Sequence, residues 1–246
     1  MGTVFSFDVR GGEPGAVSAA LREAVAGLHR ADAVFSTYRD DSDLSRLARG
    51  ERTVARCAPE LAEVLQLAAE AERLSDGWFS TRYRGSLDLT GIVKGWAAER
   101  AARLLAAVDG VAGVSVNGGG DVQLLGMPEP GRPWRVGVSD PLRPGALAAV
   151  ISTAGAPELA VATSGTAERG AHIVDPHTGR PAVTDLLAVT VVGPRLTWVD
   201  CWATAAFAMG SRAGLAWLES LADIEALLVT AGDEVRCTGG LAARLG

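Results

Sequence analysis

Apolar and polar positions change period along this chain, from a helical repeat in its first half to strand-like runs in its second. The opening stretch "MGTVFSFDVRGG" alternates apolar and polar residues as a half-buried strand does. In "EPGAVSAALREAVAGLHRADAVFS", Val17, Leu21, Ala24, Val25 and Leu28 fall on one helical face, which predicts an amphipathic helix. "YRDDSDLSRLARG" is polar and rich in capping residues, so Asp41 or Ser42 can start one short helical turn. A second helix is expected over "PELAEVLQLAAEAERLSDG", with Pro59 in its first turn and Gly77 just past its end. "GWFSTRYRGSLDLTGI" reads as turn and short strand, and "VKGWAAERAARLLAAVDG" as an Ala-rich third helix closed by Gly110.

The second half turns to strands: "GVSVNGGGDVQLLG", "PWRVGVSD", "ALAAVISTAG", "ELAVATSG", "AHIVDPHTG" and "LLAVTVVG". "DCWATAAFAMG" and "AGLAWLESL" read as helices, followed by the short strand "EALLVTAG". Strands and helices are grouped instead of strictly alternating, which predicts an α+β fold over a doubly wound α/β sheet. With no repeat, low-complexity tract or linker, residues 1–246 are expected to form one compact domain.

Composition narrows the function classes. The 246 residues are 48% apolar and 21% charged, with a net charge of −6, so no positive field favours nucleic acid or an anionic membrane. An anionic substrate would need a bound cation or a few placed basic groups. Cys57, Cys201 and Cys237 are far apart and follow no metal or redox spacing. No run approaches the ~20 apolar residues of a membrane span, and the first residues lack the basic and apolar parts of a signal peptide. The expected compartment is cytoplasmic, or extracytoplasmic if a longer native start precedes Met1.

Four polar segments interrupt apolar elements and carry the candidate chemistry. "LDLTGIVKGWA" puts Asp88 at a strand end and Gly91, Lys94 and Gly95 at a helix start, where N–H groups and an ammonium can hold phosphate. It has no Walker spacing, and a plain turn with a solvated lysine is the simpler reading. "VNGGGDV" places Asn117 and Asp121 around three glycines; a hairpin is the simplest reading, close approach of a ligand the other. "VATSGTAERGAHIVDPHTGRPA" gathers Ser164, Glu168, Arg169, His172, Asp175 and Thr178. A histidine at a strand edge beside Asp and Arg suits acid–base or phosphate work. In "WVDCWATAAFAMG", Asp200 and Thr204 lie four apart on one helix face. They can offer hard oxygen ligands to Mg²⁺, or Asp200 can simply be the N-cap of its helix.

The segments "MGT", "FSTYRDDSDLSRL", "DLTGIVKG", "VNGGGD", "ATSGTAERGAHIVDPHTGRP" and "VDCWATAAFAMG" stand in this order from Met1 to about Gly210. In that order they resemble the ApbE family of FAD:protein FMN transferases. The resemblance implies an ApbE-like, T-fold-related domain with antiparallel sheets and peripheral helices. It also implies FAD as substrate, Mg²⁺ as cofactor, and an acceptor protein with an FMN-binding domain, of the redox-complex subunit type. Carried onto this chain, Met1, Tyr38, Trp78, Phe79 and Ser80 would contact the flavin end, and Asp88, Lys94 and Ile173 other parts of the dinucleotide. Gly91 would lend Mg²⁺ a backbone carbonyl and Asp200 and Thr204 their side chains, while His172 would serve transfer to a Ser or Thr hydroxyl with release of AMP.

Two departures from the family pattern are visible. Ser80 stands where the family commonly has Asp, and only Thr81 to Leu87 separate "GWFS" from "DLTGIVKG", where a much longer stretch is usual. A shortened pocket wall admits two alternatives to transfer. One is a Mg²⁺-dependent FAD pyrophosphatase giving FMN and AMP; the other is a non-catalytic FAD-binding protein.

Overall fold

The computed structural model describes residues 2–83, 86–166, 170 and 173–245, with Tyr83 described by its backbone alone. The chain runs β1 (Phe5–Gly11), α1 (Pro14–Phe35), α2 (Asp43–Ala48), α3 (Pro59–Leu74), β2 (Arg82–Tyr83), β3 (Ser86–Leu87) and α4 (Thr90–Ala106). It continues through β4 (Val111–Gly118), β5 (Asp121–Gly126), β6 (Arg135–Ser139), β7 (Leu147–Ser152), β8 (Glu158–Gly165), β9 (Val174–Asp175) and β10 (Arg180–Pro181). Last come β11 (Leu186–Gly193), α5 (Leu196–Met209), α6 (Ser211–Glu219), β12 (Glu225–Thr230) and β13 (Val235–Cys237). The expected α+β class and antiparallel pairing are what the backbone adopts.

Seven strands form one antiparallel sheet in the order β1-β4-β5-β8-β11-β12-β13. Helices α4 and α5 pack on one face, and α1 packs over α4. Ala160, Ala162, Val189, Val191, Ala226 and Leu228 point to that side. Their neighbours Leu159, Val161, Val192, Leu227 and Val229 point to the other, where the β6–β7 ribbon covers them with Val138 and Ile151. Burial on both faces explains why "ELAVA" and "LLAVTVV" are continuous apolar runs instead of alternating ones. Each fully buried Leu or Val contributes roughly 1.5–3 kcal/mol, so this two-sided core fixes the register of β8 and β11, whose ends carry part of the site.

Helix starts differ from the expected ones for a physical reason in each case. Helix α4 begins at Thr90, before Val93, because the Asp88 carboxylate accepts the Thr90 N–H at 2.9 Å. Helix α5 begins at Leu196, a full turn before Asp200. Asp200 is therefore not an N-cap. Its expected capping work is done from across the fold: Gln123 Oε1 accepts the Leu196 N–H at 2.8 Å, and Glu99 Oε2 accepts the Thr197 N–H at 3.1 Å. Among the described residues no helix is long and apolar enough to cross a membrane.

Candidate active site

The site is built where α4 crosses α5. A Cβ on Gly95 would lie 2.7 Å from the Leu196 carbonyl oxygen and 3.1 Å from Asp200 Cβ, so only glycine lets the two helices approach this closely. Two carboxylates and one ammonium meet beside this crossing. Lys94 Nζ pairs with Asp121 Oδ2 and lies 3.7 Å from Asp200 Oδ1. Lys94 is thus not a solvated lysine; it is a partly buried cation between two acids.

Asp121 reaches that position through the glycine hairpin. Gly119 and Gly120 form the turn with φ of 63° and 98°, values that L side chains avoid, and Asn117 Oδ1 accepts the Gly120 N–H at 3.0 Å. The turn delivers Asp121 as the first residue of β5, where its Oδ1 accepts the Thr163 N–H at 2.9 Å. The hairpin reading of "VNGGGD" therefore holds, and Asp121 is the residue it presents to the site.

Asp200 is 5% exposed, and its Oδ2 has no hydrogen-bond partner. Burial pushes its pKa up to about 7, Asp121 adds to the rise, and Lys94 and the Gly95 N–H only partly oppose it. An unpartnered buried carboxylate oxygen is costly and calls for a cation. Hard oxygens stand close by along the chain. Thr204, one turn on, donates its hydroxyl to the Asp200 carbonyl at 3.1 Å and shares a 3.2 Å hydrogen bond with Ser164 Oγ. The Gly91 carbonyl faces the same stretch of α5, with Cys201 Sγ at 3.8 Å. Among the described residues no cluster of three or more His, Cys, Asp or Glu offers a metal cage. One carboxylate, one hydroxyl and one carbonyl fit instead an ion that also takes oxygens from its substrate, as Mg²⁺ does.

A second cluster adjoins the first through Phe79. Phe79 is 2% exposed, and the ring edge at Cε2 would lie 3.3 Å from a Cβ on Gly91, so its side chain forms the floor under the α4 start. Trp78, half-buried, meets the ring of His177 edge to face. Ser80 Oγ donates to Glu72 Oε1 at 3.3 Å and accepts the Arg82 N–H at 3.1 Å, and the short 81–87 segment contains the β2–β3 pair. Tyr38 is 94% exposed on the loop after α1, with its ring in solvent.

The turn "DPHTG" has its own internal scaffold. Asp175 accepts the His177 N–H and the Thr178 hydroxyl, each at 2.9 Å, and its carbonyl takes the Gly179 N–H at 2.8 Å. Asp175 and Thr178 shape the turn between β9 and β10. Ile173 is buried, and its carbonyl accepts the Ala182 N–H at 2.9 Å. Met1, Glu168, Arg169 and His172 lie outside the described residues. Two supporting residues escaped the motif reading, Glu99 and His177, while Asp121 was named in its motif without this role. The signal for Glu99 was a carboxylate on an otherwise apolar helix face, which needs a buried cation or donors.

A sequence model of the ApbE family matches residues 1–84 and 80–228. The chain belongs to the ApbE family. This ApbE-family chain is 33% identical over 135 residues to a FAD:protein FMN transferase of Salmonella typhimurium, covering 51% of the chain and 37% of that protein. It is 33% identical over 175 residues to one of Treponema pallidum, covering 65% and 48% respectively. The aligned stretches thus span less than half the length of these curated relatives. Among solved structures, the flavin transferase ApbE from Vibrio cholerae superposes with a TM-score of 0.80 at 21% identity, covering 100% of this chain and 96% of that one. The ApbE protein of Thermotoga maritima superposes with a TM-score of 0.80 at 21% identity over 98% of each chain. At that identity the likeness concerns the fold.

Proposed function

We propose that this protein transfers FMN from FAD to a Ser or Thr hydroxyl of an acceptor flavoprotein, releasing AMP, with Mg²⁺ as cofactor. The observation that carries the reading is the Asp200 carboxylate, buried and lacking a partner at Oδ2, on a turn of α5 whose Thr204 hydroxyl bonds the Asp200 carbonyl and whose Cys201 thiol meets the Gly91 carbonyl. Curated relatives that align with up to 65% of this chain, at 33% identity, are named FAD:protein FMN transferases, which supports the transfer itself.

In this reading Asp200, Thr204 and Gly91 hold the ion, and Lys94 brings a second positive charge to an acidic protein. Bound Mg²⁺ would neutralise pyrophosphate oxygens and stabilise the departing AMP. Trp78, Ser80 and Tyr38 would receive the flavin end with Met1, and Phe79 would support that surface from below. Asp88, at the start of α4, and Ile173, at the start of β9, would border the dinucleotide. The acceptor oxygen forms a bond to the FMN-side phosphorus as the bridging P–O bond breaks, and AMP carries the bridging oxygen away. His172 would take the acceptor's hydroxyl proton or orient that hydroxyl.

The test is AMP release from FAD by the wild type and by Asp200→Ala, each with acceptor and Mg²⁺, followed by nucleotide chromatography. Loss of turnover in the variant, with residual FAD binding, is expected. Full activity of Asp200→Ala would remove the metal site from the proposal.

A further inference from the structure

We infer that Ser164 is a positioning residue that sets the Thr204 hydroxyl with one lone pair free for a divalent cation. The inference deepens the metal-assisted reading above and rests on it. Side chains alternate along β8, so Ser164 follows Ala160 and Ala162 on the side that α5 covers. Those two alanines are small and fully buried, which lets α5 lie close to the strand. Ser164 is held in place by its pairing with Val189 of β11, and the N–H of its neighbour Thr163 is bound to the Asp121 carboxylate at 2.9 Å.

The protons of the two hydroxyls decide what this contact does. Each hydroxyl has one hydrogen to donate and two lone pairs with which to accept. Thr204 donates its hydrogen to the Asp200 carbonyl at 3.1 Å, so in the 3.2 Å contact with Ser164 the serine is the donor. The Thr204 oxygen then keeps one lone pair, directed away from both partners. A helical threonine divides between two rotamers, because its hydroxyl can reach a carbonyl one turn back. The Asp200 carbonyl alone therefore does not choose between them; Ser164, reaching across from β8, does. Ser164 thus acts on the cation through Thr204, without being a ligand.

The experiment is a Mn²⁺ titration of the FAD-saturated full chain without acceptor, read as loss of the free-ion paramagnetic resonance signal. FAD affinity is measured separately in chelator by flavin fluorescence. Ser164→Ala is expected to bind Mn²⁺ about three- to tenfold more weakly than wild type, the span of one net hydrogen bond, with FAD affinity in chelator unchanged. Ser164→Thr keeps the donor and is expected to stay within about twofold of wild type. Wild-type Mn²⁺ affinity in Ser164→Ala would overturn the inference, as would a Ser164→Thr as weak as Ser164→Ala. Parallel losses of FAD and Mn²⁺ affinity in Ser164→Ala would also overturn it, because they mark a general loss of the pocket. A wild type that takes up no Mn²⁺ would instead reject the metal-site reading itself, which separates the two failures.

Discussion

The rings of Trp78 and His177 meet edge to face, their centroids 4.6 Å apart and their planes at 80°. This contact joins the loop after α3 to the turn between β9 and β10, two segments about a hundred positions apart in the chain. Edge-to-face pairs contribute about 0.5–1.5 kcal/mol beyond their buried area.

If Trp78 carries the flavin, His177→Ala should weaken FAD binding by about two- to tenfold, since the indole loses its prop. His177→Phe should retain most of the affinity because it keeps the ring edge. Flavin fluorescence titration checks both, and wild-type affinity in His177→Ala would dismiss the prop.

The crossing of α4 and α5 makes its own prediction. Gly95→Ala would place a methyl 2.7 Å from the Leu196 carbonyl oxygen, forcing the helices apart. A loss of about 1–3 kcal/mol is expected, with a lower urea midpoint. An unchanged midpoint would mean that the crossing is looser than described.

Asp200 is costly in the absence of a cation, because a buried carboxylate oxygen is left without a partner. Asp200→Asn should therefore melt no lower than wild type in chelator, while losing the extra stabilisation that Mg²⁺ with FAD gives the wild type. A ligand at a hundred times its Kd stabilises by about 2.7 kcal/mol, enough to read in a melting curve. A variant still stabilised by Mg²⁺ to the wild-type extent would contradict the assignment.

Much of this architecture was legible beforehand. The 3.6-residue pattern located α1 and α3, and Gly119–Gly120 between apolar runs located the β4–β5 hairpin, because local chemistry determines those elements. The α5 start was not legible, since its caps, Gln123 and Glu99, come from distant strands and helices. Nor was the Trp78–His177 contact, which depends on how two loops meet and leaves no local period. That Asp200 and Thr204 share one helix face was legible from spacing, yet the charge environment of Asp200 was not: it includes Asp121, 79 positions earlier (200 − 121).

Glu99 carries the pH dependence of the α5 start. Burial alone would raise its pKa, but the Thr197 hydroxyl at 2.6 Å, Arg195 at 2.8 Å and the Thr197 N–H outweigh it and hold the carboxyl below its ordinary value of 4.5. A carboxyl lowered in the folded state stabilises fully above its unfolded pKa, and that stability is lost as pH falls through the folded value. Glu99→Gln should cost about 3 kcal/mol at neutral pH, and the gap to wild type should shrink as pH drops below 4.5. Urea unfolding at both pH values decides it; a gap that stays constant would remove Glu99 from the acid response.

Intact mass spectrometry of an acceptor protein would show flavin transfer itself. The purified protein, FAD and Mg²⁺ would be incubated with an FMN-binding acceptor domain that offers a Ser or Thr, and AMP would be measured in parallel. One FMN mass on the acceptor, matched by one AMP, is the predicted result. Free FMN with AMP and an unmodified acceptor would make the protein a pyrophosphatase, and intact FAD would contradict the account altogether.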